Sequence, residues 1–499
     1  MAIAKICGTE TEYGLRMLPP GDHNPVSISS LLVSSYVDEV QRQIDWDFED
    51  ESPGNDARGF SLESAMAPAV EAHLLNAVLA NGSRYYVDHA HPELSTPECT
   101  DALELVRYDK AGEAILRRSM DAARRVLHEG ASIVVYKNNS DGKGNSYGCH
   151  ENYLMARSVP FAQIVHHVVP HFVSRQIFTG AGKIGSEARW WDRAEQAPHF
   201  QISQRADFFE EIVGLETTLK RPIVNTRDEP HADPQRYRRL HVIVGDANLS
   251  EVSTYLKVAS TAIVLAMIED GFFGEMDLTV ENPVQAMHDV SADLELAKSF
   301  RLVSGRTVTA LGIQWELLQL AKKYAAERGL DCVGGEERGS DALARWERTL
   351  ELLEQDPSSL SRQLDWVAKL ELLEAYRDRT GASWQDRRLA MLDLQYHDLR
   401  PERSLFARLD MERLTSDEDV DRAVREPPRG TRAWFRGTCL SRWPTQIVSA
   451  NWDSLVFDVG SDPLRRVPMM DPLKGTADQV GALVAQAATP AELLRLLSE

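Results

Sequence analysis

Two short segments of this chain carry polar or charged side chains at every second position of otherwise apolar sequence. Glu10 and Glu12 alternate in ICGTETEYG, and Arg84, Tyr86 and Asp88 alternate in RYYVD. Side chains two apart on a strand share a face, so each set points one way. Two carboxylates about 4 Å apart repel by roughly 4 kcal/mol at an effective dielectric of about 20, so an apolar strand that holds both requires a cation. The segments therefore predict strands that build a cation site, a solvent-facing edge strand being the alternative for the glutamates.

A turn rich in histidine and proline, HAHPELSTPE, follows the second strand. Glu93 and Glu98 lie in it, so an arginine, an aspartate and two glutamates fall within fifteen residues and predict a phosphate and metal site. Asp88, at the strand end, would serve there as nucleophile or as base toward water. His89 and His91 form an HxH pair, but zinc needs a third ligand at suitable spacing and is the weaker alternative.

Two further segments extend this site. The glycine-rich stretch YKNNSDGKGNSYGCHENY, residues 136–153, favours a loop that contacts phosphate with His150 beside it, although it lacks the Walker A pattern and a surface turn is the plainer alternative. The stretch NTRDEPHADPQRYRRLHVIVGD holds an arginine cluster that includes Arg227 and Arg239. In an acidic protein such a cluster suits an ATP triphosphate or an acidic substrate, and paired surface arginines are the alternative.

The order of predicted elements indicates the fold class. Strands and long helices are intermingled without strict βαβ alternation, which predicts an α+β fold. Two prolines at 427 and 428 indicate a boundary, so we expect a catalytic domain over residues 1–428 and a small C-terminal domain over 429–499. The acidic stretch at about 38–65 has a Pro-Gly pair in its middle and predicts a mobile insert, a plain solvated loop being the alternative.

Composition argues against several classes of protein. The 499 residues include 55 basic and 76 acidic side chains, and the net charge of −21 argues against a nucleic-acid surface. Five scattered cysteines without a CxxC pair fit a reduced cytoplasm. The first residues include Glu10 and lack a signal-peptide core, and the most apolar stretch, 261–267, is too short to span a bilayer. We therefore expect a soluble cytoplasmic protein that binds neither nucleic acid nor membrane.

Six longer motifs carry a resemblance to a known family. They occur in order between residues 8 and 460 and are GTETEYG, RYYVDHAHPE, YKNNSDGKGNSYGCHENYL, VGLETTLKR, NTRDEPHADPQRYRRLHVIVGDANL and NWDSLVFDVG. Together they resemble the Dop/PafA family, whose members act on the protein tag Pup and are related to carboxylate-amine ligases such as glutamine synthetase. The resemblance implies a glutamine-synthetase-like catalytic domain, in which an antiparallel sheet packed by helices forms the active-site cradle.

The resemblance also implies roles for single residues, with ATP and Mg²⁺ as cofactors. Asp88 matches the catalytic aspartate of the family. The expected metal ligands are Glu10, Glu12, Tyr86 and Glu93, together with His150 from the glycine-rich stretch. The expected ATP contacts are Arg84, Thr96 and Trp452, together with Arg227 and Arg239 from the arginine cluster.

The implied reaction is amide hydrolysis, with ATP required in the site but not consumed stoichiometrically. It would deamidate the C-terminal glutamine of Pup to glutamate and cleave the isopeptide bond between Pup and substrate lysines. The implied partners are Pup, a disordered acidic tag, and pupylated proteins, with an indirect link to the proteasome. A Pup–protein ligase of the same family is the alternative, and the chain length, the DHAHPE turn and the insert favour the hydrolase.

Overall fold

The computed structural model describes residues 1–41, 44–48, 51–61, 75–187, 197–460 and 463–498. Its strands are β1 (Cys7–Glu12), β2 (Gly14–Leu18), β3 (Asp45–Trp46), β4 (Asn55–Asp56), β5 (Phe60–Ser61), β6 (Asn76–Val78), β7 (Arg84–Asp88), β8 (His91–Ser95), β9 (Ser132–Tyr136), β10 (Cys149–Ala156), β11 (Lys183–Ile184), β12 (Phe200–Gln201), β13 (Phe209–Gly214), β14 (Arg221–Asn225), β15 (Tyr237–Val242), β16 (Ser299–Arg301), β17 (Thr307–Thr309), β18 (Ile447–Ala450), β19 (Ser454–Phe457) and β20 (Arg465–Pro468).

Within the described ranges, ten of these strands form one sheet in the order β15-β10-β1-β8-β7-β6-β3-β18-β19-β20. Neighbours run antiparallel, except that β3 and β18 are parallel. The tight turn between β7 and β8 passes through His89, which has a positive φ of 50°. Since β7 and β8 are consecutive and β8 lies beside β1, the two segments with alternating charges are brought into one sheet.

Helices cover one face of this sheet and surround it. They are α1 (Pro25–Val40), α2 (Ala102–Val126), α3 (Phe161–Ser174), α4 (Gln176–Thr179), α5 (Glu251–Glu269), α6 (Pro283–Ala292), α7 (Ala310–Arg328), α8 (Glu336–Gln355), α9 (Asp365–Thr380), α10 (Arg387–Tyr396), α11 (Asp417–Arg425), α12 (Ala433–Arg442), α13 (Ala477–Gln486) and α14 (Pro490–Ser498). α1 packs against β7 and β8, α2 against β1, and α5 against β10. The predicted α+β class, with an antiparallel sheet packed by helices, is confirmed.

Two helices illustrate how the sequence determines the packing. α2 begins at Asp101, whose carboxylate accepts the N–H of Glu104 at 2.9 Å and so caps the first turn. Among the described residues, α5 alone is long and apolar enough to cross a membrane, and its apolar window is wholly buried inside the protein. A core helix passes the same test of length and composition, and here α5 packs against α2, α3 and α8.

The chain beyond residue 429 adds strands to the main sheet. β18 pairs with β3, and β19 and β20 continue the sheet outward. A second hydrophobic core lies under these strands and includes Trp46, Phe435 and Trp443. The boundary between residues 428 and 429 stays a prediction.

The predicted insert at 38–65 contains the end of α1, the short strand β3 and the β4–β5 hairpin. Its residues 42–43, 49–50 and 62–65 lie outside the described residues. The hairpin is bonded to the arginine segment, because the N–H of Ala57 donates to the carbonyl of Thr226 at 2.8 Å and the Thr226 hydroxyl donates to Asp56 at 2.6 Å. The mobility of the insert stays a prediction.

Candidate active site

The sheet face opposite the helices gathers the predicted site residues. In β1 and β7 the charged positions alternate with buried ones, as the sequence pattern predicts. Glu10 pairs with His150 of β10, and Glu12 pairs with Glu93 of β8. Tyr86 of β7 lies opposite Glu93 on the other side of β8. Strand pairing therefore brings together residues that are up to about 140 positions apart in the chain.

The first cluster consists of Glu12, Asp88 and Glu93. One carboxylate oxygen from each lies within 4.8 Å of the others, a spacing that could hold a metal ion. The phenol of Tyr86 donates a hydrogen bond of 2.6 Å to Glu93. His91 lies 3.2 Å from Glu12 through its Nδ1. Three carboxylates so close together repel one another strongly, so the cluster is suited to a divalent cation.

The carboxylates of this cluster differ in protonation. Burial, followed by the negative charges of Asp88, Glu12 and Glu10, raises the pKa of Glu93 well above its usual range. Burial also acts to raise the pKa of Asp88, but the hydrogen bond and charge of His89 outweigh it, so this pKa is lowered. The arrangement thus keeps Asp88 ionised beside a carboxyl group that resists ionisation.

The second cluster consists of Glu10, His150 and His241, and their ligand atoms also lie within 4.8 Å of one another. Burial acts to raise the pKa of Glu10, but His150, His241 and Arg239 together lower it well below its usual range. Burial and the Arg239 charge lower the pKa of His241 well below its usual range. The buried Nε2 of His241 has no hydrogen-bond partner among the residues that the structure describes.

Asn152 connects this second cluster to the arginine segment. Its amide donates to Glu10 at 2.9 Å, and its carbonyl oxygen lies 3.0 Å from both Arg239 and His241. Arg239 also donates to the carbonyl of Glu229 at 2.8 Å and lies 3.4 Å from Glu10. Arg239 therefore lies at the site, as the sequence predicts.

Gly148, near the end of the glycine-rich stretch, lies close to both Glu12 and His150. Its backbone N–H donates to Glu12 at 2.8 Å. A Cβ at this position would lie 2.5 Å from Nε2 of His150 and 2.8 Å from Oε1 of Glu12. Only glycine allows the backbone to pass between one ligand candidate of each cluster.

A pocket adjoins the second cluster, and we name it the Thr96–Trp452 pocket. Its lining includes Glu10, Thr96, Glu98, His231, Arg239, Arg432, Trp452 and Pro472. Three of the predicted ATP contacts, Thr96, Arg239 and Trp452, thus line one pocket. The mixture of apolar and cationic groups suits an aromatic base joined to phosphates.

The two other predicted ATP contacts, Arg84 and Arg227, are not among the described residues that line this pocket. The guanidinium of Arg84 stacks between the rings of Trp46 and Tyr86, at 3.9 and 4.0 Å from their centroids. Trp46 in turn meets Trp452 edge to face at 5.4 Å. Arg227 is partly buried, and its Nε has no hydrogen-bond partner within the described part of the chain. Its charge contributes to lowering the pKa of His241.

Sequence reasoning missed three features of the site. His241 alternates with Arg239 on β15, so the period of two that found Glu10 and Glu12 would also have found it. Asn152 lies two residues after His150 and carries the same signal. Glu98, assigned above to the metal site with Glu93, instead forms ion pairs with two arginines of the C-terminal region.

Comparison with known proteins places this site in a family. The family model described as Pup-ligase protein matches residues 5–456. A depupylase of Acidothermus cellulolyticus is 51% identical, and a Pup deamidase/depupylase of Mycolicibacterium smegmatis is 46% identical, each with 99% of both chains covered. A Pup–protein ligase of a Nocardioides species is 42% identical, with 82% of this chain and 90% of the ligase covered.

Solved structures agree with the sequence relatives. The complex between Pup and its ligase PafA matches with a TM-score of 0.80 at 32% identity, and covers 99% of this chain and 94% of that chain. PafA in complex with ADP matches with a TM-score of 0.74 at 36% identity, and covers 82% of this chain and 89% of that chain. The chain belongs to the Pup-ligase protein family.

Proposed function

We propose that this protein is a hydrolase that deamidates the C-terminal glutamine of Pup and cleaves the isopeptide bond between Pup and pupylated proteins. One observation carries the proposal within the family: Asp88 is held ionised in a carboxylate cluster on the floor of the cradle, next to the Thr96–Trp452 pocket. The relatives named for deamidation or depupylation are 51% and 46% identical over 99% of this chain, whereas the Pup–protein ligase of the Nocardioides species is 42% identical over 82%. The ligase reading is therefore not favoured.

We propose that the Thr96–Trp452 pocket takes ATP. PafA, which is 36% identical to this chain and was solved in complex with ADP, supports nucleotide binding by this protein. Trp452 would pack on the base, while Arg84, Arg227 and Arg239 would neutralise phosphates. Thr96 accepts the N–H of Thr9 at 2.9 Å, which holds its hydroxyl at the pocket wall.

We propose Mg²⁺ as the metal, with Glu12, Glu93 and Tyr86 as ligands in the first cluster and with Glu10 and His150 as ligands in the second. Oxygen-rich donor sets with carboxylates suit Mg²⁺, and the repulsion within the first cluster supports a cation there. When bound, the metal supplies positive charge that polarises a carbonyl oxygen and fixes phosphate groups.

The chain's own residues then account for the reaction. Asp88 is the group placed to act on the amide carbon, either by attacking it or by taking a proton from the water that attacks. Arg239 and Asn152 hold the Glu10 carboxylate in one geometry. Because hydrolysis needs no activated carboxylate, ATP serves in the site without stoichiometric consumption.

The decisive test is mass spectrometry of Pup ending in glutamine after incubation with enzyme, ATP and Mg²⁺. We expect replacement of the terminal amide by a carboxylate, and release of protein from a Pup conjugate in a parallel reaction. Joining of Pup ending in glutamate to lysines, with accumulation of ADP and no deamidation, would instead establish the ligase. Attack by Asp88 would expel ammonia or the lysine amine and leave an anhydride, and ¹⁸O-water that opens it at the aspartyl carbon under single turnover would leave label in Asp88, which general-base catalysis does not do.

We also propose that the enzyme acts in the cytoplasm. All five cysteines are free, which supports a reducing compartment.

A further inference from the structure

The Thr96–Trp452 pocket is built from two parts of the chain that are far apart in sequence. One wall comes from the sheet and includes Thr96 and Glu98, which follow β8. The other wall comes from the C-terminal region and includes Arg432, Trp452 and Pro472. Whatever fixes one wall against the other fixes the width of the pocket.

Glu98 makes that connection with both carboxylate oxygens. Its Oε1 accepts from Nε of Arg432 at 2.7 Å and from Nη1 of Arg436 at 3.1 Å, and its Oε2 accepts from Nη2 of Arg436 at 2.5 Å. Both arginine side chains are essentially buried, at 3% and 0% exposure. Charge-assisted bonds at this burial hold their partners in one geometry.

The two arginines pass this constraint on to the C-terminal wall. Arg436 donates to the carbonyl of Trp452 at 2.9 Å and its guanidinium lies 5.0 Å from the centroid of that indole. Arg432 donates through Nη1 to the carbonyl of Met469 at 2.8 Å, and its backbone N–H donates to Pro472 at 3.0 Å. The segments that carry both Trp452 and Pro472 are thus bonded to the arginines that Glu98 holds.

Arg436 also contacts the turn between β6 and β7, since its Nη2 donates to the carbonyl of Gly82 at 3.0 Å. A guanidinium has donors enough to bond this turn, Glu98 and the tryptophan carbonyl at once, which an ammonium does not.

We infer that Glu98, through Arg432 and Arg436, is a positioning residue that locks the two walls of the pocket together and thereby sets its affinity for nucleotide. This rests on the proposed binding of ATP. These ion pairs act between the two walls of the pocket, whereas Asp88 is not among the described residues that line it. Loss of the lock therefore weakens nucleotide binding and leaves the chemical step at saturating nucleotide intact.

The test is direct titration of the full-length protein with ATP and Mg²⁺ by calorimetry, without Pup. We expect Glu98→Gln to raise the Kd for ATP by about tenfold or more. At saturating ATP, we expect kcat for deamidation of Pup to stay within about twofold of the parent, which separates affinity from chemistry. Arg436→Lys keeps the positive charge but loses the planar guanidinium that bonds several acceptors at once, and we expect a rise in the Kd for ATP of about threefold.

A matched control is Asp109→Asn. Asp109 is a buried carboxylate that accepts from Lys137 at 2.6 Å in an ion cluster outside the pocket. We expect it to lower Tm without changing the Kd for ATP, whereas Glu98→Gln changes both. An unchanged Kd for ATP in Arg436→Lys would overturn the inference. So would an unchanged Kd for ATP in Glu98→Gln if that variant lowers Tm as much as Asp109→Asn does.

The design separates this inference from the proposed function. If Glu98→Gln does not fold, Arg436→Lys alone decides by the same titration. If the parent protein binds ATP but leaves Pup unchanged, the proposed reaction fails while the titrations still test the lock. A fall in kcat as large as the rise in Kd would assign Glu98 to the chemistry and overturn a purely positioning role.

Discussion

Glu93 and Glu98 lie five residues apart, yet their surroundings shift the pKa values of their carboxyl groups in opposite directions. Burial and neighbouring carboxylates raise the pKa of Glu93 well above its usual range. Burial also acts on Glu98, but Arg436 and Arg432 outweigh it and lower its pKa to about 2. The Glu98 cluster is balanced by charges within the chain, whereas the Glu93 cluster leaves negative charge to be balanced by something that binds.

This difference separates a structural ion cluster from a functional one. A buried charge that is compensated internally stabilises one geometry, and a buried charge that is not compensated costs stability until a ligand arrives. Breaking each cluster in turn should therefore produce opposite signatures in activity and stability.

The largest effect should come from Asp88→Asn. The amide can neither attack the amide carbon nor take a proton, so we expect kcat for Pup deamidation to fall by about 10³-fold or more, which corresponds to about 4 kcal/mol in the barrier. Because the pKa of Asp88 is lowered in the folded state, its ionised form contributes to stability above pH 3.8, and the substitution should lower Tm slightly. Asp458→Asn, an exposed aspartate of the C-terminal region, is the control and should keep full activity. Activity of Asp88→Asn near that of the control would remove Asp88 from the reaction.

The next effect is on stability, in Glu98→Gln. The substitution leaves two buried arginines without a counter-charge, so we expect the free energy of unfolding to fall by about 3 kcal/mol. Since the pKa of Glu98 is lowered to about 2 from 4.5, its stabilisation is present above pH 4.5 and is lost as the pH falls toward 2. Urea unfolding at pH 7 and at pH 3 measures the free energy of unfolding of the parent and of the variant. The difference between these two free energies should be smaller at pH 3 than at pH 7. A difference that is independent of pH would contradict the ion-pair account.

The sequence predicts those parts of the site that depend on residues close together in the chain, and not those that depend on contacts between distant segments. The period of two in β1 and β7 identified Glu10, Glu12, Arg84 and Asp88, because local strand geometry alone puts them on one face. The fold class followed from the order of elements, and the resemblance added Thr96 and Trp452.

The rest required tertiary contacts that no local pattern contains. Glu98 looked like a partner of Glu93, yet its partners lie 334 and 338 residues away in the C-terminal region. His241 joins Glu10 only because β15 and β1 both pair with β10. Neither β-sheet order nor long-range ion pairing can be derived from the periodicity of a single segment.

A smaller effect is expected from Gly148→Ala, which disturbs the functional clusters without changing charge. The added Cβ would force His150 and Glu12 to move by several tenths of an ångström, because it would lie 2.5 and 2.8 Å from their atoms. We expect kcat/KM for Pup to fall by about tenfold, or about 1.4 kcal/mol, from this misplacement. Gly312→Ala in α7 is the matched control, since its nearest neighbour would be 3.4 Å away, and its activity should not change. Equal activities of the two variants would show that the close approach at Gly148 has no role in the site.

The smallest effect is the most direct test of the comparison, and it comes from Glu93→Gln. Because the folded-state pKa of Glu93 is raised, its contribution to stability is fully present below pH 4.5 and is lost as the pH rises through the raised value. At pH 7 in EDTA the glutamine avoids that loss, so we expect the variant to be more stable than the parent by about 1 kcal/mol. Added Mg²⁺ should stabilise the parent more than the variant, which has lost a carboxylate ligand, so that the parent becomes the more stable of the two. Thermal unfolding with EDTA and with Mg²⁺ measures all four states. If Glu93→Gln were instead destabilised in EDTA as Glu98→Gln is, Glu93 would belong to a balanced cluster, and the proposed cation would have no uncompensated charge to meet.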